Sequence, residues 1–359
     1  MKKLISLTVA VLMMASLLAG CGSTETQPVV TAAPTEAAST EAAPTEAAST
    51  EAASTEAAST EAVPAEAAVY NVGIIQLVTH DALDAATQGF MDALTAELGE
   101  GNVTFDLQNA AGDSNTCATI VNSFVSNEVD LIMANATPAL QAAAAATGDI
   151  PILGTSVTEY GVAMGIDNFS GTVGGNVSGT SDRAPLDKQA EMVKQWFPDA
   201  VNVGLLYCSA EPNSQYQVDT IQGMLEEMGY TCTMYAFADT NDMAAVTQNA
   251  ADNSDVIYVP TDNTVASGTG IIDGICQAAG VPIIAGEEGI CAGCGVATLS
   301  ISYYDLGVAT GKMAAKVLTG EADISAMPVE YAATSTPKYN PAICDALGLT
   351  APAGYAAIG

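Results

Sequence analysis

From Val69 onward, short runs of β-branched and aliphatic residues alternate with longer stretches in which apolar side chains recur every three or four positions. The short runs predict strands over Tyr70–Val78, Val103–Gln108, Asp130–Ala134 and Pro151–Ser156. After a junction they predict strands over Val201–Tyr207, Thr231–Phe237, Val256–Val259, Pro282–Ala285 and Gly295–Ile301. The stretches between them predict helices, the clearest placing Leu83, Phe90, Leu94 and Leu98 on one face with polar residues opposite. Short apolar strands separated by helices imply right-handed βαβ units on parallel sheets.

The series runs twice, from Val69 to about Thr180 and from about Ser181 to Glu288. Gly171–Asp182 (GTVGGNVSGTSD) is rich in glycine and serine and predicts a strand crossing between lobes. A helix over Tyr303–Leu318 is expected to return to the first lobe, and the C-terminal stretch to the second. The 291 residues from Val69 to Gly359 are too many for one simple core and suit two lobes. The expected fold class is α/β: two Rossmann-like lobes with parallel sheets, a multi-strand hinge and a ligand cleft between them. Lobe 1 is expected over 69–180 and 300–322, lobe 2 over 181–299 and 323–359.

The first 68 residues have a different pattern. Lys2 and Lys3 precede an apolar run over Leu4–Leu18, and Leu18-Ala19-Gly20-Cys21 reads as a bacterial lipobox. The run is short for a spanning helix. Residues 1–21 are therefore expected to be a lipoprotein signal peptide, with Cys21 the lipidated new N-terminus; an ordinary signal peptide with a chance cysteine is the alternative. Residues 22–68 repeat T-E-A-A-S-T, with a glutamate every five residues from Glu36 to Glu66. Lacking aromatics, this stretch cannot bury enough surface to offset ordering entropy, and it predicts a disordered linker holding the body off a membrane.

Charge narrows the partners. Outside the signal and linker the chain has six basic and 33 acidic residues, a net charge of −27. Such a body is repelled by nucleic acid and anionic lipid. Seven cysteines follow Cys21, an odd number that cannot all pair within one chain. Cys291-Ala-Gly-Cys294 has CxxC spacing but no second CxxC or nearby histidine for zinc, and it precedes a predicted strand rather than opening a helix as a redox motif does. His80 is the only histidine, so neither a histidine triad nor a metal site is supported. No cofactor is expected.

The candidate chemistry falls at strand ends, where open α/β sheets bind ligands. Gln76 ends the first strand and serves a ligand or, equally, a neighbouring loop. Thr137 and Pro138 fit a helix start, with threonine as N-cap, whose N–H groups attract a carboxylate. Ser156 and Thr158 end the fourth strand and add hydroxyls to the same carboxylate, or only solvate the loop. In the second lobe, Glu211, Asn213 and Ser214 form one strand-to-helix segment, and Thr261-Asp262-Asn263-Thr264 forms another. Asp262 either receives an ammonium or caps the helix starting near Asn263. Of Glu287 and Glu288, one is expected inward and one solvated. With Arg183 the only basic residue near a hinge, a polyanionic ligand would lack a partner, whereas a zwitterion would find one for each charge. Tyr207, Tyr258, Tyr303 and Tyr304 line an aromatic pocket or belong to the core, and Trp196 is expected to pack internally.

The segments GIIQLVTHDALDAATQGF, ANATPALQAAA, PILGTSVT, YCSAEPNSQYQV, VIYVPTDNTVAS, VPIIAGEEG and ISYYDLGVATGKMAAKVL together resemble the tryptophan/tyrosine-binding (TrpX-like) substrate-binding lipoproteins of ABC transporters. The resemblance covers nearly all of Val69–Leu349. It implies a type I periplasmic-binding-protein fold that closes on a small ligand, with aromatic amino acids the solutes of several members. It also places the Thr261–Thr264 segment, with Asp262 and Asn263, in the cleft. Where the family segment reads G-I-D-Y-Y-E-L-G, this chain has Ser302 in place of the aspartate. If that aspartate holds the ammonium, Ser302 weakens the grip or changes the ligand.

The expected function is capture of a zwitterionic ligand, an amino acid by preference, and delivery to an ABC permease and its ATPase. The protein is expected outside the cytoplasm, lipid-anchored to the cell membrane, and to catalyse nothing. Three alternatives stay open: a ligand-sensing or adhesive surface lipoprotein of the same fold, a binder of nucleosides or other neutral molecules, and a thiol enzyme using Cys291 and Cys294.

Overall fold

The computed structural model describes residues 69–359; the signal segment, Cys21 and the 22–68 repeat lie outside them. The described chain opens with β1 (Tyr70–Gln76), α1 (Asp81–Leu98), β2 (Val103–Asn109), α2 (Ser114–Ser126), β3 (Leu131–Asn135) and α3 (Thr137–Ala146). Next come β4 (Ile152–Thr155), α4 (Tyr160–Met164) and β5 (Val177–Ser181). A second series follows: α5 (Leu186–Trp196), β6 (Asn202–Cys208), α6 (Pro212–Glu227), β7 (Thr231–Phe237), α7 (Thr240–Asn253) and β8 (Val256–Val259). It continues through α8 (Asn263–Ser267), α9 (Thr269–Ala279), β9 (Ile283–Ala285), α10 (Glu288–Cys294) and β10 (Ala297–Ser300). The chain ends with α11 (Tyr303–Leu318), β11 (Glu330–Tyr331), β12 (Thr336–Tyr339), α12 (Pro341–Leu347) and β13 (Ala356–Ala357).

These strands form two sheets, ordered β11-β5-β4-β3-β1-β2 and β13-β12-β10-β9-β8-β6-β7. Every pairing in the first is parallel. In the second, β12 alone runs antiparallel to its neighbour β10. Helix α11 packs on the first sheet, its Met313 and Ala314 sharing a core with Val72 and Ile74. One boundary differs: Glu330–Tyr331 pairs with Thr180–Ser181, and Ser178 Oγ donates to Met327 O at 3.0 Å. Residues 323–331, expected in the second lobe, therefore sit with the first, because β5 offers an unpaired parallel edge there.

Period-two alternation along β1 explains why the first sheet is covered on both faces. Val72 and Ile74 share a core with Phe90 and Leu94 of α1 and Met313 and Ala314 of α11. Ile75 faces the other way, toward Val121 and Phe124 of α2. Burying each such side chain contributes roughly 1.5–3 kcal/mol. Helices α1 and α11 approach closely because glycines face the partner backbone. A Cβ added at Gly89 would lie 2.1 Å from Tyr304 O, and one added at Gly307 would lie 2.0 Å from Ala86 O. The second lobe has its own two cores, one around Trp196, Val218 and Tyr258 and one around Phe237, Met243 and Cys291.

Cys291 and Cys294 lie in the C-terminal half of the short α10, just ahead of β10. Both are buried free thiols, and burial pushes their titration up, the opposite of a redox-active pair. Among the described residues no three His, Cys, Asp or Glu side chains group as metal ligands. Among them too, no helix is long and apolar enough to cross a membrane.

Candidate functional site

The carboxyl ends of the two parallel sheets face one another. A cavity of about 200 Å³ between them is walled by Leu77, Val78 and Pro138 from the first lobe and by Cys208, Glu211 and Thr264 from the second. Asp113 and Asp239 also line it, and its lining contains no lysine or arginine. The nearest hinge cation is already engaged. Arg183 Nη1 pairs with Glu159, the N-cap of α4, and its guanidinium lies 5.4 Å from the centre of the Tyr331 ring.

Several carboxylates expected to meet a ligand are instead spent on helix starts. Asp262 caps α8: Oδ1 accepts from Val265 N at 2.8 Å and Oδ2 from Cys208 N at 2.7 Å. Burial, with Glu211 nearby, lifts its carboxyl to about 7. The capping alternative is thus realised, and the expected ammonium contact of Asp262 is corrected. Glu287 likewise caps α10, accepting from Gly289 N and Ile290 N, and burial pushes it up to about 7. Glu288 turns away to Lys338 and Ser300. Glu211 accepts from the amide N–H groups of Asn263 and Thr264, from Asn263 Nδ2 at 2.6 Å and from Thr264 Oγ1 at 2.7 Å. Its oxygens have no capacity left for a solute.

Other expected residues divide similarly. Gln76 is committed within the first lobe: Nε2 donates to Val78 O and Asp84 Oδ1, and Oε1 accepts from Thr87. Helix α3 begins one residue earlier than expected, with Ala136 (φ 95°) as N-cap and Thr137 and Pro138 in its first turn. Pro138 lines the cavity, so the positive end of α3 faces it. Ser302 is exposed and caps α11 through Asp305 N at 3.1 Å, which corrects its expected place at the ligand. Tyr207 and Tyr258 belong to the second-lobe core, and the exposed Tyr304 donates to Asp92. Tyr303 alone of the four tyrosines stays at the hinge.

Among the described residues eight buried side-chain polar atoms have no protein partner, and three of them lie on the segments that follow β4, β5 and β6. Ser156 Oγ is one, on a residue held at φ 54° just after β4. Asn213 Oδ1 is another, at the start of α6, while its Nδ2 donates to Glu211 at 3.2 Å. The third is Asp182 Oδ1. Asp182 follows β5 and is 3 % exposed; its Oδ2 accepts from Tyr303 at 2.9 Å, with the Thr158 side chain nearby. Burial raises its carboxyl above the usual range, with Glu211 adding to the rise. Asp182 was not among the expected site residues. Its signal was available: a strand-end aspartate followed by Arg183-Ala184-Pro185 has no helical N–H groups close by to cap, unlike Asp262 and Glu287.

Across the cleft, His80 Nε2 and Asn263 Oδ1 lie 3.2 Å apart, joining the first lobe to the second. The lobes are therefore in contact beside the cavity.

A family model described as "ABC transporter substrate binding protein" matches residues 71–354. A "Tyrosine-binding protein" of Clostridioides difficile (strain R20291) is 39% identical over 253 residues, 70% of this chain and 73% of that protein. The ABC domain from Streptococcus pneumonia in complex with L-Trp superposes with a TM-score of 0.77 at 34% identity, covering 81% of this chain and 100% of that one. The ligand-free, open structure of a substrate binding protein with adhesive properties from Clostridium difficile gives a TM-score of 0.62 at 38% identity, covering 81% and 99%. The less identical chain, the tryptophan complex, thus superposes better, in keeping with the contact between lobes seen here. The chain belongs to the ABC transporter substrate-binding protein family.

Proposed function

We propose that this protein captures an amino acid with an aromatic side chain by closure of its lobes and delivers it to an ABC permease driven by its ATPase. It acts outside the cytoplasm as a lipoprotein, tethered through Cys21 and the acidic 22–68 linker. The observation that carries the reading is the buried Asp182 Oδ1 without a partner, on a carboxylate near enough to Glu211 and Glu287 to feel their charge. A buried carboxylate oxygen left unpaired is costly, and a ligand ammonium relieves that cost with a charge-assisted hydrogen bond. The first-turn N–H groups of α3 and Ser156 Oγ receive the ligand carboxylate. Leu77, Val78 and Pro138 supply apolar walls for its side chain. The names of the similar proteins, one tyrosine-binding and one in complex with L-Trp, favour the aromatic members of the class. The protein performs no chemistry on its solute: the cleft carboxylates act as caps and receptors, and the CxxC thiols are buried.

Calorimetry on the 69–359 body with L-tyrosine, L-tryptophan, N-acetyl-L-tyrosine and a nucleoside tests this. Binding of a free amino acid with loss on N-acetylation is expected. Equal binding of the N-acetyl compound, or binding of the nucleoside alone, overturns it. Loss of membrane association in Cys21→Ser tests the anchor separately.

A further inference from the structure

The contact between His80 and Asn263 has a fixed donor and acceptor. Glu211 Oε2 already accepts from the Asn263 backbone N–H, so the Asn263 amide turns its Nδ2 toward the same oxygen, at 2.6 Å. Its Oδ1 then necessarily faces His80 Nε2, and only a ring carrying a proton on Nε2 can bond it. His80 stands at the N-cap position of α1 but makes no capping bond through its side chain; its ring is free to reach the other lobe. Asn263, at the start of α8, is 7 % exposed and held at both its amide nitrogens by Glu211. The acceptor is thus positioned before closure, and the donor arrives with the first lobe.

We propose that His80 is the latch of the closed state, its Nε2–H fastening α1 to an Asn263 amide that Glu211 has already oriented. The latch rests on capture by lobe closure, but not on which solute is captured. It also makes closure sensitive to pH. Burial in the closed cleft disfavours the imidazolium, and this outweighs the opposing pull of the Asn263 hydrogen bond and of Glu211, Asp84 and Asp81. The facing residues of α8, α9 and α10, among them Ala266, Ser267, Thr269 and Gly289, bring no further charge. A ring whose closed-state titration is depressed favours closure above the open-state value of about 6.5, and that contribution is lost as pH falls through it.

A pair of spin labels, one on each lobe, reads the ratio of closed to open molecules with and without L-tyrosine. His80→Ala is expected to lower that ratio about tenfold at pH about 7.5, the worth of one hydrogen bond. His80→Gln keeps an N–H donor and is expected near wild type. Glu287 and Asp262, both pushed up to about 7 by burial, titrate in the same region, so the pH arm compares wild type with His80→Gln: acidification to pH about 5.5 should open the wild type further than the variant. A ratio unchanged in His80→Ala overturns the latch, and parallel pH curves overturn its protonation switch. L-tyrosine without effect on any variant would count against the amino-acid reading while leaving the comparison between variants decisive for His80.

Discussion

The Tyr303 hydroxyl, at the first residue of α11, reaches Asp182 Oδ2 on the hinge strand at 2.9 Å. One half of that carboxylate is thereby fixed by the protein, while the other half is buried and unbonded. Asp182→Asn keeps an oxygen for Tyr303 and removes the charge. Its expected effect is a loss of amino-acid affinity of more than tenfold, with melting temperature little changed. The size follows from roughly 2–5 kcal/mol for truncating a buried charge pair. Calorimetry decides it, and an unaltered Kd takes Asp182 out of the site.

Asp262 is expected to behave in the opposite way. Its two oxygens serve Val265 N and Cys208 N, so Asp262→Ala removes a helix cap and a loop tie inside one lobe. A cost of about 1–2 kcal/mol lowers the melting temperature by several degrees. Affinity should fall far less than in Asp182→Asn. A variant that melts normally but no longer binds would reverse the two assignments.

Glu287 sets a pH dependence of stability. Its carboxyl is lifted to about 7 by burial, against the pull of two amide donors, with Asp182 and Glu288 adding to the rise. Between its unfolded value, near 4.5, and about 7, the folded chain holds a proton that the unfolded chain has released. Stability from this group is therefore present at the acid end and lost as pH rises through the folded value. Thermal melts of the ligand-free protein from about pH 5 to 7 should slope downward in the wild type and less so in Glu287→Gln. Superimposable curves would show that another group carries the slope.

The packing of α1 on α11 predicts a contrast between two glycines. At Gly307 an added Cβ meets Ala86 O at 2.0 Å and Phe90 N at 2.9 Å, both backbone, so the helices must separate. Gly307→Ala is expected to cost about 1–3 kcal/mol. Gly274, inside α9, has nothing within 4 Å of the same position, and Gly274→Ala should stabilise by about 0.4–1 kcal/mol. Denaturant midpoints moving together in the two variants would contradict this account.

The βαβ framework was legible because buried parallel strands such as β1, β3 and β8 are written as unbroken aliphatic runs, and α1 as a clean apolar stripe. The start of α8 was legible from Asp262 as a possible cap, and that of α3 to within one residue from Thr137-Pro138. Harder to read was which carboxylate capped and which faced the cleft. Asp262 and Glu287 resemble binding residues in one dimension because a cap and a receptor need the same oxygen atoms. Only the fold shows those oxygens already occupied by Val265 N and Ile290 N. Asp182 went unnoticed because its partner, Tyr303, is distant in sequence. Ser302 drew attention through the substitution it represents, yet its backbone direction places it outside, capping α11. The two residues of β11 are too few for any strand signal.

Met313 and Ala314 close the same core as Val72 and Ile74, so the amino-terminal half of the body depends on a helix made near its end. The later half is more self-sufficient: most of its interior comes from one contiguous stretch between Ala190 and Leu299. A chain emerging amino end first therefore exposes one apolar face of its earliest sheet until α11 arrives, and closing so long a loop is slow. The lobe that begins first is finished last. A product cut short before Tyr303 is left with a sticky sheet rather than a half-receptor.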